Sequence, residues 1–311
     1  MRSGNNPCDM NIAIQTDGSL RRSLRRILAL VGAVGFLAVA AHASDGANLQ
    51  PSYYNNGNVN FGWSLMKSDS RIKSLRLLIE PSVAISQVKS WISQARSNGF
   101  ALICTYQKVS GHGSDNASDL TAAAYWWKSN YSNLAASGSF QINFMNEWGD
   151  HNITSNAYAA AYYTAISIAR SVYNRNIIID IPGWGQETHT AAQAVTGANG
   201  TKINDKNITL STHIYPGDWN QALNHRLQDS DLDEMGSVGR TCLVGEFGTG
   251  SGSANWSGLV DHARSKGWSV LAWAWNGDGS SLNMVAPSWV SNPTATSFSN
   301  SSYFNTVYPK L

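Results

Sequence analysis

Gln141-Ile142-Asn143-Phe144-Met145-Asn146-Glu147-Trp148-Gly149 is an apolar run that stops at an Asn-Glu pair and a glycine. Cys242-Leu243-Val244-Gly245-Glu246-Phe247-Gly248 repeats the pattern further along the chain. A strand that is apolar at successive positions is covered on both faces, the mark of a parallel sheet. A carboxylate that ends such a strand, just ahead of a glycine, stands at a mouth and not in a core. Two of them on separate strands offer a proton donor and a nucleophile, the pair that cleavage of a glycosidic bond requires.

The same rhythm extends in both directions. Strand-like runs fall at 59–63, 75–79, 101–106, 141–146, 177–181, 208–213, 241–246 and 269–273, with Ile177-Ile178-Ile179 the clearest. Ile85, Val88, Ile92 and Ala95 recur at helical spacing and predict a helix over 84–98. Ser118 and Asp119 open a second helix that runs to 134. Further helices are predicted over 155–173, 188–195 and 256–266, with a weaker one between Trp219 and Glu234. Strands and helices alternating over short connections predict an α/β fold, a (β/α)8 TIM barrel in a single domain. No Pro/Ser tract, charge block or repeat breaks residues 44–311 into parts. In this fold the C-terminal strand ends gather on one face. Arg76, Glu80, Gln107, Asn146, Glu147, Trp184, His213, Tyr215, Glu246, Trp273 and Trp275 all fall there.

Residues 1–43 stand apart. Arg21, Arg22, Arg25 and Arg26 precede an apolar stretch over 27–41, which ends at Ala41-His42-Ala43. That is the pattern of a cleaved secretory signal, so the expectation is an extracellular protein with no membrane attachment after cleavage. The formal charge of +2 belongs to this leader, which removes Arg2 and the four arginines above against only Asp9 and Asp17. The remainder is close to neutral and lacks the basic footprint of a nucleic-acid binder. Its wealth of Asn, Ser, Gly and Trp suits a neutral ligand such as a sugar. Cys8 leaves with the leader; Cys104 and Cys242 lie on strands that a barrel separates, so two buried thiols are expected and no disulfide.

The strand ends resemble family 5 of the glycoside hydrolases, retaining endo-β-1,4-glycanases on (β/α)8 barrels. The resemblance is carried by Leu75-Arg76, Asn146-Glu147-Trp148, His213-Ile214-Tyr215, Gly245-Glu246-Phe247-Gly248 and Trp273-Ala274-Trp275-Asn276, in the family's order. It implies that Glu147 is the acid/base and Glu246 the nucleophile. It places Arg76, Asn146, His213 and Tyr215 around the sugar at the point of cleavage. Trp148, Trp184, Trp219, Trp273 and Trp275 stand in or beside strand-end loops, where indoles stack on sugars; between Trp273 and Trp275 the sequence does not choose. Family members carry a His at the end of strand three, where this chain has Gln107, an uncharged hydrogen-bonding substitute. The implied partner is a polysaccharide. Base rates within the family put β-1,4-glucan first. Gly183-Trp184-Gly185-Gln186 and Gly113-Ser114-Asp115 resemble the bacterial β-mannanase branch and keep β-1,4-mannan as the alternative.

Other chemistries are excluded by what is missing. Gly248-Thr249-Gly250-Ser251-Gly252 lacks the Lys of a phosphate-binding loop. His112, Asp115, Asp150 and His151 lack metal-ligand spacing, so no metal or cofactor is expected. There is no G-x-S-x-G nucleophile elbow. Glu80, followed by Pro81, is read as structural. A monomer is expected. The rival from another class is a carbohydrate-binding barrel without activity, which Gln107 would permit.

Overall fold

A computed structural model of the protein describes residues 44–311; the expected secretory signal lies outside the described residues. Eight parallel strands close into a barrel: β1 (Gly46–Leu49), β2 (Ser74–Ile79), β3 (Ala101–Tyr106), β4 (Gln141–Asn143), β5 (Ile177–Asp180), β6 (Ile208–Ile214), β7 (Thr241–Phe247) and β8 (Ser269–Asn276). Each strand pairs with its sequence neighbours, and β8 closes against β1. The helices α1 (Trp63–Ser68), α2 (Ile85–Ser97), α3 (Ala117–Ala135), α4 (Ser155–Ala169), α5 (Thr188–Thr196), α6 (Asp229–Ser237), α7 (Trp256–Ser265) and α8 (Ser302–Val307) fill the connections and the C-terminal segment. Among the described residues no helix is long and apolar enough to cross a membrane. Cys104 and Cys242 are both free thiols.

The first strand is not the run at 59–63. Gly46-Ala47-Asn48-Leu49 carries little β-propensity, yet its small residues are what the site demands. A Cβ on Gly46 would lie 1.8 Å from the Ser74 carbonyl oxygen of β2. Val59, Phe61 and Trp63 alternate like a strand, but Gly62 takes a left-handed φ of 69° and starts α1. The Phe61 and Trp63 rings then stack at 4.9 Å, and Trp289 meets Phe61 edge-on. The helix expected between Trp219 and Glu234 is also displaced. A two-residue-per-strand hairpin, Trp219–Asn220 with His225–Arg226, comes first. α6 starts later, at a capping box of Gln228 and Asp231.

Inside the barrel, Ile103, Ile178, Leu243 and Leu271 form a separate apolar plug. One step toward the strands' C-terminal ends the lining turns polar. Ile178 and Asp180 on β5, and Ile103 and Thr105 on β3, are two residues apart and so share a face. Asn48, Arg76, Thr105, Asn143, Asp180 and His213 are all buried in this upper layer. Buried polar groups are with few exceptions paired, and the network of these partners builds the site.

Candidate active site

Arg76 is the hub. It is 1 % exposed, and each of its five N–H bonds has an acceptor. Nε donates to Asn143 Oδ1 at 2.7 Å; Nη1 donates to Asn48 Oδ1 at 3.0 Å and Glu246 Oε1 at 2.7 Å; Nη2 donates to Asn146 Oδ1 at 2.5 Å and Asp180 Oδ2 at 2.9 Å. Asp180 in turn accepts the Asn143 amide at 3.1 Å and the backbone N–H of Glu147 at 3.1 Å. Its carboxyl is held far below the usual carboxylate range. Burial opposes this, but Arg76 and His213 outweigh it.

Glu147 follows β4 with a positive φ of 50°. A non-glycine residue in this region is strained and persists only where its surroundings hold it. Here the Asp180 carboxylate takes its N–H, and the Gly113 N–H binds its carbonyl at 2.7 Å. The turn aims the Glu147 side chain into the mouth. It also drives Trp148 the other way, into the core against Tyr158 and Tyr162.

His213 stands between the two glutamates. Its Nδ1 is 3.0 Å from Glu147 Oε1 and 3.7 Å from Glu246 Oε2, while Nε2 faces Asp180 at 3.5 Å. Burial works against a charge on this ring, but Glu246 and Asp180 prevail and push it up to about 10, which favours the protonated form. Gly245 makes room for it: a Cβ there would lie 2.2 Å from Ser211 Oγ and 3.2 Å from His213 Nε2. Burial raises the Glu246 carboxyl and Glu147 adds to this, while His213 and Arg76 pull it down. Every hydrogen bond to Glu246 comes from a donor, Arg76 Nη1 and the Tyr215 hydroxyl at 2.9 Å. The balance leaves the Glu246 carboxyl raised, with burial the largest cause, while the two donors favour its anion. Asp218 accepts the Tyr215 N–H at 2.6 Å and so holds the loop that delivers that hydroxyl.

Ligand atoms of Glu147, His213 and Glu246 lie within 4.8 Å of one another. The Arg76 guanidinium is already paired with Glu246 and Asp180 beside this cluster, a fixed cation that disfavours a metal ion there.

The structure sorts the residues singled out from sequence. Glu147, Tyr215, Trp219 and Trp273 are partly open, and Trp184 is 38 % exposed. Arg76, Asn146 and His213 are buried beneath the site: Arg76 bonds to Glu246, His213 to Glu147, and Asn146 to Arg76 and His112. Trp148 and Trp275 do not reach it: both are fully buried, with their indole N–H groups on the Asn116 and Phe61 carbonyls. Trp273 and Trp275 do not share a face. The pairing of β8 with β1 jumps from Ala47–Ala272 to Leu49–Asn276, so extra residues bulge between them and break the alternation. Gln107 is 1 % exposed and donates to the Tyr53 hydroxyl at 3.3 Å, so it backs the cleft without lining it.

Two residues escaped sequence reading. Asp180 ends the Ile177–Asp180 strand just before Pro182, and a charge closing an all-apolar strand was its only signal. His112, five positions beyond Gln107 in an aperiodic loop, brings Nδ1 to 3.4 Å from Glu147 Oε2. Because Asn146 Oδ1 must accept from Arg76, its Nδ2 faces His112 Nε2 at 3.2 Å as a donor. Nε2 therefore accepts, and the proton sits on Nδ1, toward Glu147. His112 thus sets an imidazole beside Glu147 in a chain that carries Gln107 at the end of β3.

Comparison with known proteins agrees with this geometry. Residues 61–279 match the family model described as Cellulase (glycosyl hydrolase family 5). The chain belongs to glycosyl hydrolase family 5. A mannan endo-1,4-beta-mannosidase from Streptomyces lividans is 26 % identical over 64 % of the chain, and one from Cellvibrio japonicus is 24 % identical over the same share. The chain covers 52 % and 46 % of those proteins, about half their length. Family 5 neighbours among solved structures share the fold. A β-mannanase from Streptomyces thermolilacinus with mannohexaose has a TM-score of 0.67 at 18 % identity, covering 86 % of this chain and 87 % of that one. The endoglucanase catalytic domain from Thermobifida fusca also has 0.67, at 15 % identity, covering 86 % and 91 %.

Proposed function

We propose that this family 5 chain is a retaining endo-β-1,4-mannanase. The observation that carries the chemistry is the close approach of Glu147 and Glu246 across His213, with oxygens within 4.8 Å. Retaining glycosidases hold their carboxyls about 5–5.5 Å apart, whereas inverting ones leave room for a water between them at roughly 6.5–9.5 Å. Mannan is placed ahead of glucan, reversing the order expected from sequence, because both curated relatives carry the mannosidase name. The fold does not discriminate, since the mannanase and the endoglucanase are equally similar.

In the first step Glu147, the carboxyl open to the cleft, gives its proton to the glycosidic oxygen as the C–O bond breaks. Glu246 bonds to the anomeric carbon from the opposite face. In the second step water attacks that carbon, Glu147 takes the water's proton, and the bond to Glu246 breaks. Both glutamates return to their starting state. Arg76 and the Tyr215 hydroxyl hold Glu246 with a lone pair forward, and the His213 charge offsets the two carboxylates. We also infer that the leader is cut after Ala43 and the barrel exported; N-terminal sequencing of secreted protein tests this.

One panel tests the function: mannan, glucomannan, barley β-glucan, carboxymethyl-cellulose and xylan with a single enzyme stock. The expected result is reducing-sugar release highest on mannan or glucomannan, with the β-anomer formed first by proton NMR. A preference for carboxymethyl-cellulose would overturn the substrate, and no release on any of them would favour the carbohydrate-binding reading.

A further inference from the structure

Each oxygen of the Glu147 carboxyl faces an imidazole. His213 Nδ1 lies 3.0 Å from Oε1, and His112 Nδ1 lies 3.4 Å from Oε2. The two rings differ in kind. His213 is fully buried and its surroundings favour the protonated form, so its Nδ1 donates to Oε1. The proton of an acidic Glu147 is thereby left to Oε2, on the His112 side. His112 is partly open to the cleft and is fixed in one tautomer. Asn146 Oδ1 accepts from Arg76, so Asn146 Nδ2 donates to His112 Nε2 at 3.2 Å and the ring hydrogen stays on Nδ1.

The loop that carries His112 is latched to the backbone around Glu147. The Gly113 N–H binds the Glu147 carbonyl at 2.7 Å, the Gly149 N–H binds the Ser114 carbonyl at 2.8 Å, and the Trp148 indole N–H binds the Asn116 carbonyl at 3.1 Å. Ring and carboxyl are therefore held as one unit. An Nδ1 that already bears hydrogen cannot take the proton of Glu147. It can only stabilise the charge that appears on Oε2 once that proton has left. Hydrogen bonds of this kind are often long before substrate binds and tighten in the reaction.

We propose that His112 is a positioning residue for the acid/base, its Nδ1–H closing onto Glu147 Oε2 as that oxygen gives up its proton. This rests on the reading of Glu147 as acid/base given above. In the first step the proton passes from Oε2 to the glycosidic oxygen, which also keeps the electron pair of the broken C–O bond; His112 retains its own hydrogen throughout. The bond is then stronger in the transition state than before it, which is the condition for acceleration. In the second step Glu147 starts as a carboxylate, so the bond is already made and gives no gain.

The test is steady-state kinetics of the unaltered protein, His112→Ala and His112→Asn on a mannan hexasaccharide and on an aryl β-mannobioside with a dinitrophenolate leaving group. His112→Ala should lower kcat/KM on the hexasaccharide about tenfold, the loss of one hydrogen bond to a charged group. On the aryl substrate, whose leaving group needs no proton and whose turnover is set by the second step, kcat/KM and kcat should stay within about twofold. His112→Asn sets an amide N–H close to the place of Nδ1 and should recover most of the loss. A Glu147 merely displaced would serve the second step poorly as well, and would lower kcat on the aryl substrate. Equal losses on both substrates, no loss on the hexasaccharide, or a loss that His112→Asn does not relieve would overturn the role of His112 alone. Failure of the unaltered protein to cleave the hexasaccharide, or full activity of Glu147→Ala on it, would overturn the acid/base reading and the role of His112 with it.

Discussion

Asp180→Asn tests whether the buried polar layer positions Glu147, the proposed acid/base. Asp180 uses Oδ2 to accept from Arg76 Nη2 and the Glu147 N–H, and Oδ1 to accept from Asn143 Nδ2. A carboxamide has one oxygen. If that oxygen replaces Oδ2, its NH2 group faces the Asn143 amide at about 3 Å, donor against donor. Asn143 cannot turn over, because its Oδ1 already accepts from Arg76 Nε at 2.7 Å and Thr105 at 3.2 Å. The opposite rotamer sets NH2 against Arg76 and the Glu147 N–H. Removing one partner of a buried ion pair costs about 3–5 kcal/mol, and an unsatisfied buried donor costs about 1–3 kcal/mol. The two overlap, so roughly 4 kcal/mol is expected, or a Tm lower by about 8–16 °C for a chain of this size. Without its acceptor, the left-handed turn at Glu147 shifts, and a displacement near 1 Å costs about a hundredfold in rate. Thermal unfolding followed by circular dichroism reads the first effect. Kinetics on mannan and on an aryl glycoside with a dinitrophenolate leaving group read the second. The loss should be far smaller on the aryl substrate, whose leaving group needs no proton. A Tm within about 2 °C of the unaltered protein, or equal losses on both substrates, would refute the reasoning.

Glu246→Ala, if folded, should lower hydrolysis by roughly a thousandfold or more; substantial residual reducing-sugar release would contradict its role as nucleophile. Trp148→Ala should cost about 3–5 kcal/mol of stability as a core deletion, whereas Trp273→Ala should chiefly raise KM on mannan; chemical denaturation and steady-state kinetics separate them. Gly245→Ala should destabilise the fold by crowding Ser211 and His213, read as a lower Tm. Stability should also fall with rising pH. The His213 contribution is complete below its ordinary value of 6.5 and is lost as pH rises toward about 10. Asp218, which burial pushes up to about 8, keeps its proton in the folded state and adds a loss in the same direction below that pH. Asp180 acts oppositely, its contribution vanishing as pH falls below the carboxylate range. Tm measured against pH should therefore peak on the acid side of neutrality, and a rise between about pH 7 and 9 would contradict this.

Seven of the eight strands were legible because each is a short run rich in apolar and β-branched residues between helix-like segments, the clearest being Ile177-Ile178-Ile179. β1 was not, because Gly46–Leu49 owes its conformation to the close approach of Ser74 and not to its own propensity. The two glutamates proposed as the catalytic pair stand out at two strand ends, and the structure brings their oxygens within 4.8 Å. His112 was not legible, since a loop has no period from which to infer where its side chains point.

Residue type and order along the chain determined the barrel, the two glutamates and their arrival at one mouth, because strand period and chain direction are local properties. Which polar residues touch each other was decided only by the closed barrel. Arg76, Asn143, Asp180 and Asn48 come from four strands and meet only because closure brings the inner faces together. The same closure gave the tryptophans different fates. The left-handed turn at Glu147 sends Trp148 into the core, and the bulge in β8 leaves Trp273 at the mouth while burying Trp275. Local alternation cannot foresee either event, because each depends on what the neighbouring strand already occupies.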